Sequence, residues 1–239
     1  MSEIDPFLFR QRVLERYHFP YGNGKAALTN VQPSEVELQF VNTLVRAFEE
    51  EPGFRISEFR NFPLEIILDY ISKTHALYLN KTLQEMEQSI SNLGKAYDAG
   101  HPLLEYLNDF FIHYKTDLIR HIREEDEKLL PHVAFLDRCN REGLELTEFF
   151  KRTSQFSTID FLEHHHDNEI ELKDVRNHIL TYEPPSYDRS MYRVLLNQLE
   201  FFSHDLRIHG LIEEQILVPL ALEWEQKLFK DFFVRINLN

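Results

Sequence analysis

Apolar residues recur every three or four positions through most of this chain, with polar residues on the opposite face. That period is helical. Breakers divide it into segments. Residues 7–17 read as a short first helix, and 18–32, with Pro20, Gly22, Asn23 and Gly24, as a loop. Pro33-Ser34 starts a helix that runs to about residue 50 and stops at Pro52-Gly53. Residues 54–62 form a connector without a period. Four long segments follow, at about 63–97, 102–140, 157–181 and 187–228, with a short helix at about 144–152 between the second and third. Each long segment spans about 30 Å or more at roughly 1.5 Å per residue. The pattern predicts an all-α protein: an up-down-up-down four-helix bundle over residues 62–228, a small helical extension at 1–61 and a tail at 229–239. Pro131 and Pro219 fall inside the second and fourth long helices, and each should kink its helix one or two turns past a nearby Glu.

One phrase occurs twice along this frame. His121-Ile-Arg-Glu-Glu125-Asp-Glu-Lys-Leu-Leu-Pro131 returns 88 residues later as His209-Gly-Leu-Ile-Glu213-Glu-Gln-Ile-Leu-Val-Pro219. Residues four apart lie on one face of a helix, so each copy aims an imidazole and a carboxylate the same way. An isolated pair of this kind is usually solvated. Here Phe202, Leu206, Ile212, Ile216, Leu217 and Leu220 surround His209 and Glu213 with an apolar face. A carboxylate buried there without a partner costs several kcal/mol. Around His121 the flanking Lys128 and Asp126 mark a wet opposite face.

The other two long helices each add a histidine. His75 sits on a face with Leu68, Ile71, Tyr78, Leu79 and Leu83, and His166 closes the run His164-His165-His166. His75 precedes His121 by 46 residues and His166 precedes His209 by 43. The chain thus reads as two hairpins, each giving a histidine and then the His–Glu pair. The candidate metal ligands are His75, His121, Glu125, His166, His209 and Glu213. Four imidazoles and two carboxylates suit iron first, with manganese or zinc as alternatives. Two Glu residues can bridge two ions, leaving each ion two imidazoles and room for an exogenous ligand.

Composition narrows the function. The net charge is −14 and the sequence pI about 5.3, with no basic stripe. Nucleic acid and a polybasic membrane contact are therefore not expected partners. No apolar run reaches the roughly 18 residues of a membrane span, and residues 1–12 lack the apolar region of a signal peptide. A single cysteine, Cys139, excludes thiolate metal sites and points to the cytoplasm, whereas histidine occurs 12 times.

The doubled His-x-x-x-Glu-Glu-x-x-Leu-apolar-Pro phrase, with lone histidines on the alternate helices, resembles the hemerythrin-like (HHE cation-binding) domain. The closer likeness is to bacterial di-iron iron–sulfur cluster repair proteins. Leu68-Asp69-Tyr70-Ile71 ahead of His75, His101-Pro102-Leu103-Leu104 and His166-Asp167 add to it, and the resemblance covers about residues 62–222. It implies a hemerythrin-like bundle holding two iron ions on the same six residues, with Glu125 and Glu213 as bridges. It also implies a role in nitrosative or oxidative stress: binding oxygen, peroxide or nitric oxide, or donating iron to a damaged iron–sulfur client protein. Two features depart from the family. Residues 1–60 contain no cysteine, unlike the N-terminal domain of the repair proteins, and no fifth His with an Asp is placed as in oxygen-carrying hemerythrins.

Further candidates are weaker. His101 starts a helix and reads as a cap or an entry residue. Tyr78 could donate a hydrogen bond near the metals. Gly210, beside a ligand and inside a helix, suggests a channel or a close helix approach. His113 reads as a core or rim residue and His132 as a packing residue, while His204, five residues before His209, should face elsewhere. Two other functions stay open: a sensor that signals through residues 1–61, and a metal-free or zinc-bound helical scaffold.

Overall fold

Local signals begin and end the helices where sterics require. Ser34 caps the second helix: its Oγ accepts from the Glu37 N–H (3.2 Å), and the Glu37 carboxylate accepts from the Ser34 N–H (2.7 Å). The sixth helix ends at Gly143, whose φ of +68° is left-handed backbone that favours glycine. The computed structural model describes residues 6–16, 34–97, 100–143, 146–164, 169–184 and 189–237, and every regular element among them is helical. Helices α1 (Pro6–Arg16) and α2 (Glu35–Phe48) and a 3-10 turn (Ile56–Asn61) precede the long rods. The rods are α3–α4 (Leu64–Leu77, Leu83–Gly94), α5–α6 (Pro102–Glu124, Leu130–Glu142), α8–α9 (Thr158–His164, Glu169–Ile179) and α10–α11 (Arg189–Ile212, Val218–Asn237). The short α7 (Leu146–Thr153) lies between the second and third.

The all-α expectation holds. The fourth rod runs past residue 228 to Asn237. The predicted loop at 18–32 lies outside the described residues, as do 165–168, between α8 and α9.

The proline expectation needs correction. Among the described residues three π turns interrupt the rods, at Tyr78–Thr82, Glu125–Leu129 and Glu213–Leu217. Two of them begin on the Glu of the repeated phrase and end two residues before its proline. The Leu130 N–H bonds Glu125 O, and the Val218 N–H bonds Glu213 O, each spanning five residues. A proline ring inside a regular α-helix collides with the carbonyl four residues back. The wider turn ahead of Pro131 and Pro219 displaces that carbonyl. The irregularity therefore falls on the glutamates, not one or two turns beyond them.

In one half of the molecule α4, α5, α9 and α10 pack in a ring, α4 on α5, α5 on α9, α9 on α10 and α10 on α4. In the other half α11 packs on α6 and α8, while α2 lies against α10 and the 3-10 turn against the π turn that starts at Glu213. Two apolar clusters result. One holds Phe9, Phe40, Tyr70, Ile71, Leu129, Ile212 and Ile216; the other holds Tyr78, Phe111, Tyr114, Ile122, Phe202 and Leu206. Along three rods the chain passes from one cluster to the other within a few residues: Ile71 to Tyr78, Ile122 to Leu129 and Leu206 to Ile212. His75, Glu125 and His209 lie in those intervals, with Glu213 just beyond.

A second buried polar group ties the far half together. The Glu225 carboxylate on α11 accepts from the Thr158 N–H (3.0 Å) and hydroxyl (2.6 Å) at the start of α8 and lies 3.3 Å from His132 Nε2 on α6. Burial would raise the pKa of Glu225, but these hydrogen bonds outweigh it and hold the carboxyl below its ordinary range. A depressed folded value gives stability that is present above the unfolded carboxylate range and lost as pH falls through the folded value. The Glu225→Gln variant should therefore lose less thermal stability than the parent between pH 7 and pH 4, measured by melting followed by circular dichroism.

Candidate metal centre

The repeated phrase brings its residues together. Glu125 and Glu213 project from the first residue of their π turns, and His121 and His209 sit one turn earlier on the same faces. His209 Nε2 lies 3.3 Å from Glu213, and His121 Nε2 lies 3.0 Å from Glu125. From α3, His75 enters between the two pairs. Its Nε2 is 3.0 Å from His209 Nε2, 3.3 Å from Glu125 and 3.8 Å from Glu213. Atoms of His75, Glu125, His209 and Glu213 that could ligate an ion all lie within 4.8 Å of one another, and all four residues are buried. His121 is part-exposed at the edge and reaches the group through Glu125. The sixth expected ligand, His166, lies outside the described residues.

The two carboxylates each face two imidazoles. Glu125 turns Oε2 to His75 and Oε1 to His121. Glu213 turns Oε1 to His75 and Oε2 to His209. A nitrogen and oxygen donor set with no thiolate fits iron, manganese or zinc. The four buried side chains could together hold a metal ion.

Protonation of the cluster follows from its surroundings. Burial opposes a charge on His75, but hydrogen bonds to Asp126 and Glu125 and the charges of Glu213 and Glu125 overcome it and raise its pKa to about 10. His75 Nδ1 donates to Asp126 Oδ1 at 2.7 Å. His209 moves the other way, to about 3, because burial disfavours its charge and a charged His75 repels a second one. The pair thus holds one proton, on His75. A raised folded value contributes stability below the unfolded pKa of His and loses it as pH rises through about 10.

Asp126 was read from sequence as part of the wet face. It is 40% exposed, yet it turns toward His75 and fixes that ring's orientation. The repeat held a signal: an acid follows the Glu of the phrase in both copies, Asp126 and Glu214.

The remaining candidates separate. Tyr78 is fully buried and its ring centroid stands 5.7 Å from that of His209; its hydroxyl has no hydrogen-bond partner among the described residues. His101 is a helix cap whose Nδ1 accepts from the Leu103 N–H (3.2 Å), packed on Tyr97. Gly210 does not serve a close helix approach, since a Cβ placed there meets nothing within 4 Å. His113 is exposed and bonds the Asp109 carbonyl, His132 belongs to the Glu225 group, and His204 packs on Phe48.

Three outcomes follow. Loading one divalent ion onto the His75–His209 pair at pH 7 should release the His75 proton, measured by calorimetry in buffers of different ionisation enthalpy. Asp126→Leu should weaken metal binding by about 10–100-fold, the usual cost of losing a carboxylate that orients a ligand histidine, measured by competition with a chelator. Gly210→Ala should raise stability by roughly 1 kcal/mol in denaturant unfolding, because the methyl meets open space and alanine favours the helix.

Comparison with known proteins gives an independent line. No protein-family model matches the chain, and no solved structure matches it. The iron–sulfur cluster repair protein ScdA of Staphylococcus haemolyticus (strain JCSC1435) is 22% identical over 151 residues, 63% of this chain and 64% of the relative. The protein of the same name from Staphylococcus epidermidis is 19% identical over 156 residues, 64% of this chain and 65% of the relative. The chain therefore spans less than two thirds of the length of these curated relatives. The chain is thus distantly similar to the staphylococcal iron–sulfur cluster repair proteins, a likeness consistent with the hemerythrin-like resemblance of its doubled motif and with its buried His and Glu cluster.

Proposed function

We propose that this chain is a non-haem di-iron protein of the hemerythrin-like kind, acting in the response to nitrosative or oxidative stress. In this reading it binds oxygen, peroxide or nitric oxide, or donates iron for repair of iron–sulfur clusters in client proteins. One observation carries the reading: each of two buried carboxylates, Glu125 and Glu213, presents its oxygens to two different imidazoles, as a bridging ligand between two ions would. His75, His121, His166 and His209 would be the terminal ligands, each binding as the neutral imidazole. The similarity to proteins named for iron–sulfur cluster repair supports the link to that process.

Bound there, a pair of iron ions would supply redox chemistry and open coordination positions for a small ligand. The chain's own residues do the rest. Asp126 holds the His75 ring in register. Tyr78, whose ring centroid stands 5.7 Å from that of His209, and Ile122, Leu129 and Ile212, each within four residues of a cluster member along the chain, are buried and apolar. Part-exposed His121 marks the side on which the cluster approaches solvent. We assign the protein to the cytoplasm on its single cysteine; among the described residues no helix is long and apolar enough to cross a membrane. A second reading, a sensor signalling through residues 1–61, gains support from the contact of the 3-10 turn with the π turn that begins at Glu213.

Metal analysis of protein purified without chelator or affinity metal tests the proposal. About two iron ions per chain are expected, as in other di-iron bundles, with near-ultraviolet bands on oxidation. Glu125→Ala together with Glu213→Ala should abolish both, while His101→Ala should leave both unchanged. Protein that holds no metal, or one zinc with no spectral change, would move the weight to a structural scaffold.

A further inference from the structure

The N-terminal helix places a charge inside the bundle. In α1, Phe9 and Val13 are fully buried; the Phe9 ring stacks on Phe48 of α2 at 3.7 Å and stands 5.9 Å from Phe201 of α10. Arg12 lies over the Phe201 ring at 4.4 Å. These contacts deliver Arg16, the last residue of α1, into the interior with its side chain fully shielded from solvent. One arm of its guanidinium, Nη2, bonds Asp205 on α10. The other arm, Nη1, reaches the Thr74 hydroxyl (3.2 Å) and the Tyr70 hydroxyl (3.5 Å) on α3.

Those partners stand beside proposed ligands. Thr74 immediately precedes His75, and Asp205 is one turn before His209 on the same helix. A guanidinium is planar and rigid, so its two arms set a fixed separation between the groups they hold. Apolar side chains of the same volume often serve stability as well as a buried ion pair does, and fixing an arrangement is the best-attested use of such a pair. His75 and His209 come from helices far apart in sequence, and their Nε2 atoms meet at 3.0 Å. Sub-ångström error in the separation of α3 and α10 would spoil a shared ligand geometry.

Resting on the metal reading above, we infer that Arg16 is a positioning residue for the centre: from α1 it braces α3 against α10 and sets His75 opposite His209. On this inference residues 6–16 are part of the metal site and not an appendage to it.

The test uses the full chain and cobalt(II), whose visible bands report coordination geometry. Changing Arg16 alone to an apolar residue strands the Asp205 charge, so the informative variant is Arg16→Met with Asp205→Leu. It should keep the helical circular dichroism of the parent, bind cobalt roughly tenfold or more weakly, as loss of a residue that orients a metal ligand does, and shift the visible bands. Arg16→Lys keeps a cation beside Asp205 but loses the two-armed fork; it should retain the fold and still show shifted bands, and it carries the test if the double variant does not fold. Parental affinity and bands in a folded double variant, or in Arg16→Lys when the double variant does not fold, would overturn the inference. Failure of the parent protein to bind cobalt would instead sink the metal reading, and this inference with it.

Discussion

Two carboxylates and two imidazoles buried at one level of a helical bundle are the constraint on which the rest of this structure depends. Glu125, Glu213, His75 and His209 lie where two apolar clusters meet, and none of them is reached by bulk water. Ionised groups in such a place must answer one another or an ion, because the penalty for leaving them unanswered exceeds the net stability of many domains. The proton held on His75 is one answer, and a bound metal is the other. Both use the same lone pairs, so the arrangement that stabilises the protonated cluster is also the one that would hand those lone pairs to a cation.

The backbone bends to meet this requirement. Each Glu of the repeated phrase begins a π turn, and the proline that follows occupies a position that a regular helix would contest. The π turn both accommodates the proline ring and opens the helix at the residue whose carboxylate points inward. π turns recur at functional sites because an extra residue per turn re-aims a side chain without ending the helix. The third π turn, starting at Tyr78, follows His75 by one turn and places a buried phenol against the His209 ring.

The N-terminal extension gives the polar seam a second layer. Arg16 and Asp205 continue it toward α1, so that charged and hydrogen-bonding groups run from the extension through α3 and α10 to the cluster. Glu225 with Thr158 and His132 makes a separate polar tie in the far half, fastening α8 to α11 and α6. Two apolar clusters alone would leave neighbouring helices free to slide in small steps, since dispersion contacts are weakly directional. The buried polar groups remove that freedom where the candidate site needs it removed.

Much of this was legible in the sequence. Helical periodicity and breakers gave the all-α class and most helix limits, since both depend on local backbone sterics and on which face is apolar. The repeated His–Glu phrase marked His121, Glu125, His209 and Glu213, because a spacing of four on a helix is itself a statement about direction; His75 followed from its apolar face and its place in the hairpin. What the sequence left open depends on separations between helices. Asp126 looked like a solvated acid until α3 brought His75 within 2.7 Å of it. Arg16 and Asp205 are 189 residues apart, and no local pattern announces that a short helix will bury its last arginine against a distant acid. The prolines signalled an irregularity, but the choice between a kink and a π turn, and its position on the glutamates, came only with neighbours packed around the helix. Local chemistry thus determined which groups exist and which way each helix faces; tertiary packing decided which of those groups meet, because a distance between helices is a property of the whole core and of no segment within it.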